Sequence, residues 1–312
     1  MISGRSGTVG ATPSAARTMS TGLRVIWLAV SGRPGRVGAV FDYRHDAALN
    51  VECHNETVTA GLSVRELSYD HGAGGRALAT LIVPPRPSGT GVIVCHGGTE
   101  DGRFWFIPEA TQLALQAGMT VLLPATWLPP HGDRRASADA MRVNVLTHRR
   151  GLDLLTTWVD HRLNRLGFFG HSGGAFQGAY LSAVEPRLDA LVLTSAGAGS
   201  LVRLAATTLP PGEPNTEEYL RFLEGLDPVS FVAVPGRRRL LFQHGRYDPV
   251  ILRPEALRLF EAAAEPRQWR EYACAHDTGA YPQAVADRME FLRNLNQGGG
   301  AGRPTSQSRW QV

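Results

Sequence analysis

From about residue 62 to 295 the chain alternates short apolar runs with longer stretches of helical period, the pattern expected of a mainly parallel sheet covered by helices. Val64 to Tyr69 and Arg76 to Val83 alternate and are joined by the turn-rich Asp70 to Gly75, which predicts an opening antiparallel hairpin. Five almost wholly apolar strands are then predicted: Val92 to Cys95, Thr120 to Leu123, Leu166 to Phe169, Ala190 to Thr194 and Leu240 to Gln243. A last strand is expected near Trp269 to Tyr272. Continuous apolar runs of this kind suit strands buried on both faces.

Helix ends are legible between the strands. Pro108 suits a first turn and Gly118 a stop, so Glu109 to Ala117 is read as a helix. A longer helix is expected from Asp139 to Val159, with Val145, Leu152, Leu155 and Val159 as the stripe facing the sheet. About 45 residues separate Ser195 from Arg239, more than the dozen or so a simple crossover needs. Within them Asn215 and Glu218 form a capping-box-like start for a helix through Leu226. Residues 197–236 are therefore a candidate cap insertion, with a longer surface excursion as the equal alternative.

The flanks differ in composition. Residues 1–55 are rich in Gly, Ser, Arg and Thr with short apolar islands, and are read as a loose or peripheral segment. Residues 296–312 have linker composition and are expected to be a disordered tail. The domain proper is thus placed at 56–295.

Composition removes several chemistries. All 32 residues of the Lys plus Arg count are arginine. Arginine does not deprotonate at useful pH, so Schiff-base enzymes, Ser-Lys dyads and the Gly-Lys-Ser/Thr phosphate loop are ruled out. A net charge of +4, spread along the chain without interleaved aromatics, predicts no nucleic-acid partner. Cys53, Cys95 and Cys274 show no CxxC spacing and the ten histidines no HExxH pattern, so neither metal nor cofactor is expected. No run approaches the roughly 20 apolar residues of a membrane span, and Val25 to Val30 is short for a signal peptide, so cytoplasmic residence without a membrane is expected. The pattern specifies no oligomeric state.

The strongest chemical signal is the run from Arg165 to Leu181, an apolar strand leading through Gly170-His171-Ser172-Gly173-Gly174 into a helix. A nucleophile on so sharp a turn has a strained backbone, and the positions two before and two after it cannot carry side chains. Gly170 and Gly174 meet that demand. The helix that follows points its N-terminus, with free N–H groups, at the serine.

With this motif the segment from about 62 to 295 resembles the α/β-hydrolases, nearest to the dienelactone-hydrolase, acetylxylan-esterase and acylaminoacyl-peptidase-like branches. The resemblance implies the chain order nucleophile, acid, histidine. It makes Ser172 the nucleophile, Asp248 of His244-Gly245-Arg246-Tyr247-Asp248 the acid, and His276 the base, because only His244 and His276 follow Ser172 and His244 precedes the acid. His244 is read as shaping its loop. Asp227, before Pro228, is the rival acid, with a turn or helix-cap role as its structural reading.

The oxyanion donors implied are the amide of Gly173 and that of Gly98 or Thr99, in His96-Gly97-Gly98-Thr99 after the Val92 to Cys95 strand. His96 is expected to order that loop, and Cys95 is on the wrong strand to be a nucleophile. Phe104, Trp105, Phe106 and Trp127 are candidates for an apolar acyl pocket, or for plain core.

The expected activity is hydrolysis of a carboxylic ester, thioester or amide of a small-molecule acyl substrate through an acyl-enzyme. A Ser-His-Asp site equally supports acyl transfer, peptide cleavage or cofactor-free peroxidase chemistry, and the scaffold could serve a non-catalytic ligand-binding protein.

Overall fold

The computed structural model describes residues 40–98, 101–128 and 131–295. The segments 1–39 and 296–312, expected to be loose, lie outside the described residues, as does Thr99.

Among the described residues nine strands form one sheet: β1 Glu52–Thr59, β2 Leu62–Asp70, β3 Arg76–Val83, β4 Thr90–Cys95, β5 Thr120–Pro124, β6 Arg165–His171, β7 Ala190–Thr194, β8 Arg239–Gly245 and β9 Arg267–Tyr272. Their order is β1-β2-β3-β5-β4-β6-β7-β8-β9. The first three strands and the β3–β5 pair are antiparallel, and every pair from β5 to β9 is parallel. The predicted hairpin is β2–β3, and the six later predicted strands fall on β4 to β9.

Alternate side chains of the central strands go to opposite faces. Ile93, Leu122, Phe168 and Leu191 join one apolar cluster, and Val92, Val121, Phe169 and Val192 the other. The second cluster is covered by α1 (Arg103–Ala117) and beside it by α8 (Pro282–Arg293). Onto the first pack α2 (Arg134–Thr157), α3 (Gly173–Val184) and α7 (Arg253–Ala262). In α2 the predicted Val145, Leu152 and Leu155 are fully buried, and Val159 lies just beyond the helix end.

Three helix starts differ from the sequence expectation. Helix α1 begins at Arg103, five residues before Pro108, which sits inside it. The missing proline N–H costs one bond to the turn above, on the side where Phe104 is exposed. The earlier turn is anchored instead by Arg103, whose guanidinium meets Asp101 at 2.8 Å and Glu66 at 3.3 Å. Helix α2 starts at Arg134 because Asp133 caps it, its carboxylate accepting from the Ala136 amide at 2.9 Å. The Asn215–Glu218 capping box does not form. Pro214 takes the first turn of α5 (Pro214–Gly225), and Glu218 pairs with Arg134.

Strand β1 was not expected. Every one of its side chains is exposed, so no apolar alternation marks it, and the backbone ladder to β2 holds it. Core packing also starts earlier than residue 56, since Val40 and Phe41 are buried in the first cluster. Arg149 and Arg150 on α2 fasten this segment by donating to the carbonyls of Phe41, Ala47 and Ala48.

Between β7 and β8 run three helices, α4 Ser200–Thr208, α5 and the single turn α6 Val229–Val232. No helix among the described residues is long and apolar enough to cross a membrane.

Candidate active site

The sheet reverses its direction of growth at β4, which has β5 on one side and β6 on the other. Loops leaving the carboxyl ends of parallel strands diverge at such a point and leave a crevice. Into it project the loops after β4 and β6, joined by those after β8 and β9.

Strand β6 passes into α3 through Ser172, whose backbone stands at φ 52° and ψ −117°. For a non-glycine residue this is a strained conformation, which its surroundings must impose. Here they do so by close packing. A Cβ on Gly170 would overlap the carbonyl of Gly174, and one on Gly174 would overlap the carbonyl of Cys95. The Ser172 amide is tied to the Thr194 carbonyl of β7 at 2.8 Å.

The strain presents the Ser172 hydroxyl to His276, with Oγ 3.0 Å from Nε2. On the other side of the ring, Nδ1 is 2.8 Å from Oδ2 of Asp248. The second Asp248 oxygen accepts from the amides of Val250 at 2.8 Å and Ile251 at 2.9 Å. Burial alone would raise this carboxyl, but the His276 contact and the two amides hold it below the usual carboxylate range. An ionised Asp248 accepts the Nδ1–H, which leaves Nε2 as a base toward Ser172. The three residues singled out from the sequence thus form one hydrogen-bonded chain, although 104 positions separate Ser172 from His276.

The rival acid is engaged elsewhere. Asp227 accepts from the Gly199 amide at 2.5 Å and from the Val229 amide at 3.0 Å, bracing the turn into α6. His244 is buried against Trp269, and among the described residues neither of its ring nitrogens has a hydrogen-bond partner. The Cys95 thiol is buried and pushed up to about 12 by desolvation, so it stays protonated.

Gly173 opens α3, where the first-turn N–H groups have no partner within the helix. The loop after β4 lies directly against it. A Cβ on Gly173 would be 3.5 Å from the Gly98 nitrogen, and one on Gly97 would be 2.8 Å from Cβ of Ser172. Gly98 takes φ +90°, a conformation suited to glycine. His96 holds this loop through ring contacts with the Gly97 carbonyl at 3.0 Å and the Thr126 amide at 3.3 Å. Thr99, the other donor candidate, lies outside the described residues.

An open cleft of about 600 Å³ fronts Ser172 and His276, with Gly97, Gly98, Trp105, Phe106 and Gln112 in its wall. Trp105 stands 85% exposed at its mouth. Trp127 is not part of that wall. It is half exposed, and its carbonyl accepts from Asn144 at 2.8 Å. Phe104 is exposed too, because on α1 it points away from the sheet.

Three contributors were not legible in the sequence. Gly97 must lack a side chain to let the β4 loop touch the turn at Ser172. Ser195 has φ 55° at the end of β7 and donates to the His276 carbonyl at 3.0 Å. Under the cleft, Arg288 of α8 is fully buried and forms an ion pair with Glu109 of α1, also donating to Gln243 at 3.0 Å. A buried ion pair across two helices leaves no periodic trace in either.

Fold and site together define an α/β-hydrolase fold with a Ser-His-Asp constellation at the strand ends. Comparison with solved structures agrees on the fold. Acetyl xylan esterase 1 from Thermoanaerobacterium sp. JW/SL YS485 superposes with a TM-score of 0.65 at 16% identity, over 83% of this chain and 92% of that one. Acetyl xylan esterase from Paenibacillus sp. R4 gives 0.65 at 15% identity, over 89% and 96%. An S-formylglutathione hydrolase from Agrobacterium tumefaciens gives 0.58 at 16%, over 78% and 99%. No protein-family model and no curated protein sequence matches the chain.

Proposed function

We propose that the protein is a serine hydrolase that cleaves a carboxylic ester of a small molecule through an acyl-enzyme. The observation that carries this reading is the contact chain Ser172 Oγ, His276 Nε2 at 3.0 Å and His276 Nδ1 to Asp248 at 2.8 Å, on a strained turn at a helix N-terminus. His276 takes the Ser172 proton as Oγ attacks the carbonyl carbon. The amides of Gly173 and Gly98 receive the developing oxyanion. As the tetrahedral species collapses, His276 passes that proton to the departing alkoxide, and the acyl group stays on Ser172. Water, deprotonated by the same imidazole, then releases the carboxylic acid and restores the hydroxyl. Asp248 keeps the Nδ1–H tautomer throughout and offsets the charge on the imidazolium.

Esters are preferred over amides in this reading because the structural relatives named above include acetyl xylan esterases. The test is covalent labelling by a fluorophosphonate together with turnover of p-nitrophenyl acetate. Wild-type protein should label and turn over, while Ser172→Ala should not label and should lose on the order of a million-fold in kcat. Equal turnover by the two proteins would refute the assignment.

A further inference from the structure

The segment inserted between β7 and β8 is tied at its start to the loop that carries Asp248. Gly197 packs so closely there that a Cβ on it would stand 2.8 Å from Cβ of Glu255 and 2.9 Å from Cγ2 of Ile251. The Ala198 amide donates to the Glu255 carbonyl at 2.9 Å, and Arg258 of α7 donates to the Ala198 carbonyl at 2.9 Å. From α4, Arg203 reaches across to the same place. Its Nε and Nη2 donate to the two carboxylate oxygens of Glu255 at 2.6 and 2.9 Å, and Nη2 donates as well to the Val250 carbonyl at 2.6 Å. Glu255 is buried, and one of its oxygens also accepts from the Leu252 amide at 3.0 Å, so the guanidinium is held by a partner that is itself fixed.

The bond to Val250 bears on the site. The Val250 carbonyl and the Ile251 N–H are the two ends of one planar peptide group. Arg203 donates to the first end, and the second donates to Oδ1 of Asp248 at 2.9 Å. Rotation of that plane would loosen both bonds together. A hydrogen bond from a cation to the carbonyl also polarises the peptide group and strengthens its N–H as a donor. Oδ2 of Asp248 meets His276 at 2.8 Å, and His276 meets Ser172 at 3.0 Å. One line of hydrogen bonds thus runs from an inserted helix to the serine.

We propose that Arg203 is a positioning residue of the hydrolytic reaction, acting through the peptide group between Val250 and Ile251 to keep Asp248 in line with His276. The proposal rests on the serine-hydrolase reading. Arg203 does not line the cleft that fronts Ser172, so its effect falls on kcat rather than on KM. A guanidinium suits the task because its rigid fork serves a carboxylate and a carbonyl at once, which a lysine ammonium does not do in one fixed geometry.

The experiment is a mutant cycle on the full-length protein, with kcat and KM read on p-nitrophenyl acetate and folding read by thermal melting. Arg203→Met keeps an unbranched side chain and removes the donors, and should lower kcat about tenfold with KM within about twofold. In an Asp248→Asn background the same change should lower kcat by less than about twofold, because the carboxylate it serves is already gone. Arg258→Met removes the neighbouring arginine's bond to the inserted segment, and should lower the melting temperature with kcat within about twofold. Arg203→Lys keeps the charge but loses the fork; it should lower kcat about threefold, and serves if Arg203→Met does not fold. An unchanged kcat in the folded Arg203 variants, an equal fall in both backgrounds, or a fall as large in Arg258→Met overturns the positioning role and, while wild-type Ser172 labels with a fluorophosphonate, leaves the hydrolase reading intact. Absence of both labelling and ester turnover in the wild type overturns the two together.

Discussion

The ring of His171, the residue just before Ser172, contacts the backbone carbonyl of His276 through Nε2 at 3.0 Å. The two rings lie with centroids 5.0 Å apart. Burial pushes His171 down to about 4, so near neutrality the ring is uncharged and its Nε2–H donates. Ser195 donates to the same carbonyl at 3.0 Å from the end of the neighbouring strand. The loop that carries His276 is thus clamped from β6 and β7 at once.

His171→Phe keeps the ring shape and removes the donor, and Ser195→Ala removes the other. Each should lower kcat about tenfold with KM little changed, since a net hydrogen bond is worth about 1 kcal/mol and the effect is on position. The double variant should lose more than either alone. Steady-state kinetics on a p-nitrophenyl ester checks this, and a pure KM effect would exclude a clamp.

Asp248→Asn should reduce kcat by roughly ten-thousand-fold, because an amide in place of the carboxylate favours the wrong imidazole tautomer. Asp227→Asn should leave kcat within a few fold and lower the melting temperature instead, since Asp227 braces backbone amides at Gly199 and Val229. Reversal of these two outcomes would transfer the acid role to Asp227.

Gly97→Ala places a Cβ 2.8 Å from both Cβ of Ser172 and the His171 carbonyl oxygen. The loop after β4, proposed to donate to the oxyanion, must then withdraw from Ser172. Loss of one well-placed donor costs about a hundred- to a thousand-fold in kcat, and that range is expected here with circular dichroism unchanged.

His148 and His171 are both held uncharged, each pushed from 6.5 to about 4 by burial. The unfolded chain takes up these protons near 6.5 and the folded protein only near 4. Stability is therefore full above about pH 6.5 and falls as the pH drops towards 4, by roughly 3 kcal/mol per ring on the order-of-magnitude scale of 1.36 kcal/mol per pH unit. Denaturant titrations between pH 7 and 4.5 should show this decline, with a shallower slope in His148→Gln.

The central parallel strands, the hairpin and the tight turn at Ser172 were legible in the chain, because a strand buried on both faces must be apolar throughout and a turn this tight must carry glycine. Chain order singled out His276 among the histidines after Ser172, and its ring stands within hydrogen-bonding distance of that serine. Strand β1 left no signal, since its side chains are all exposed and it is held by its backbone ladder and polar contacts such as Ser63 and Arg65 to Glu56 rather than by apolar packing. The start of α1 was set by a long-range ion pair from Arg103 to Glu66, which outweighed the local preference of Pro108 for a first turn. Local sequence thus determines which residues are strained, buried or turning, because those demands act within a few residues along the chain. That Asp248 rather than Asp227 stands against His276, and that His171 and Ser195 both hold the His276 carbonyl, were decided only by folding, because each depends on distances between segments that the chain itself keeps far apart.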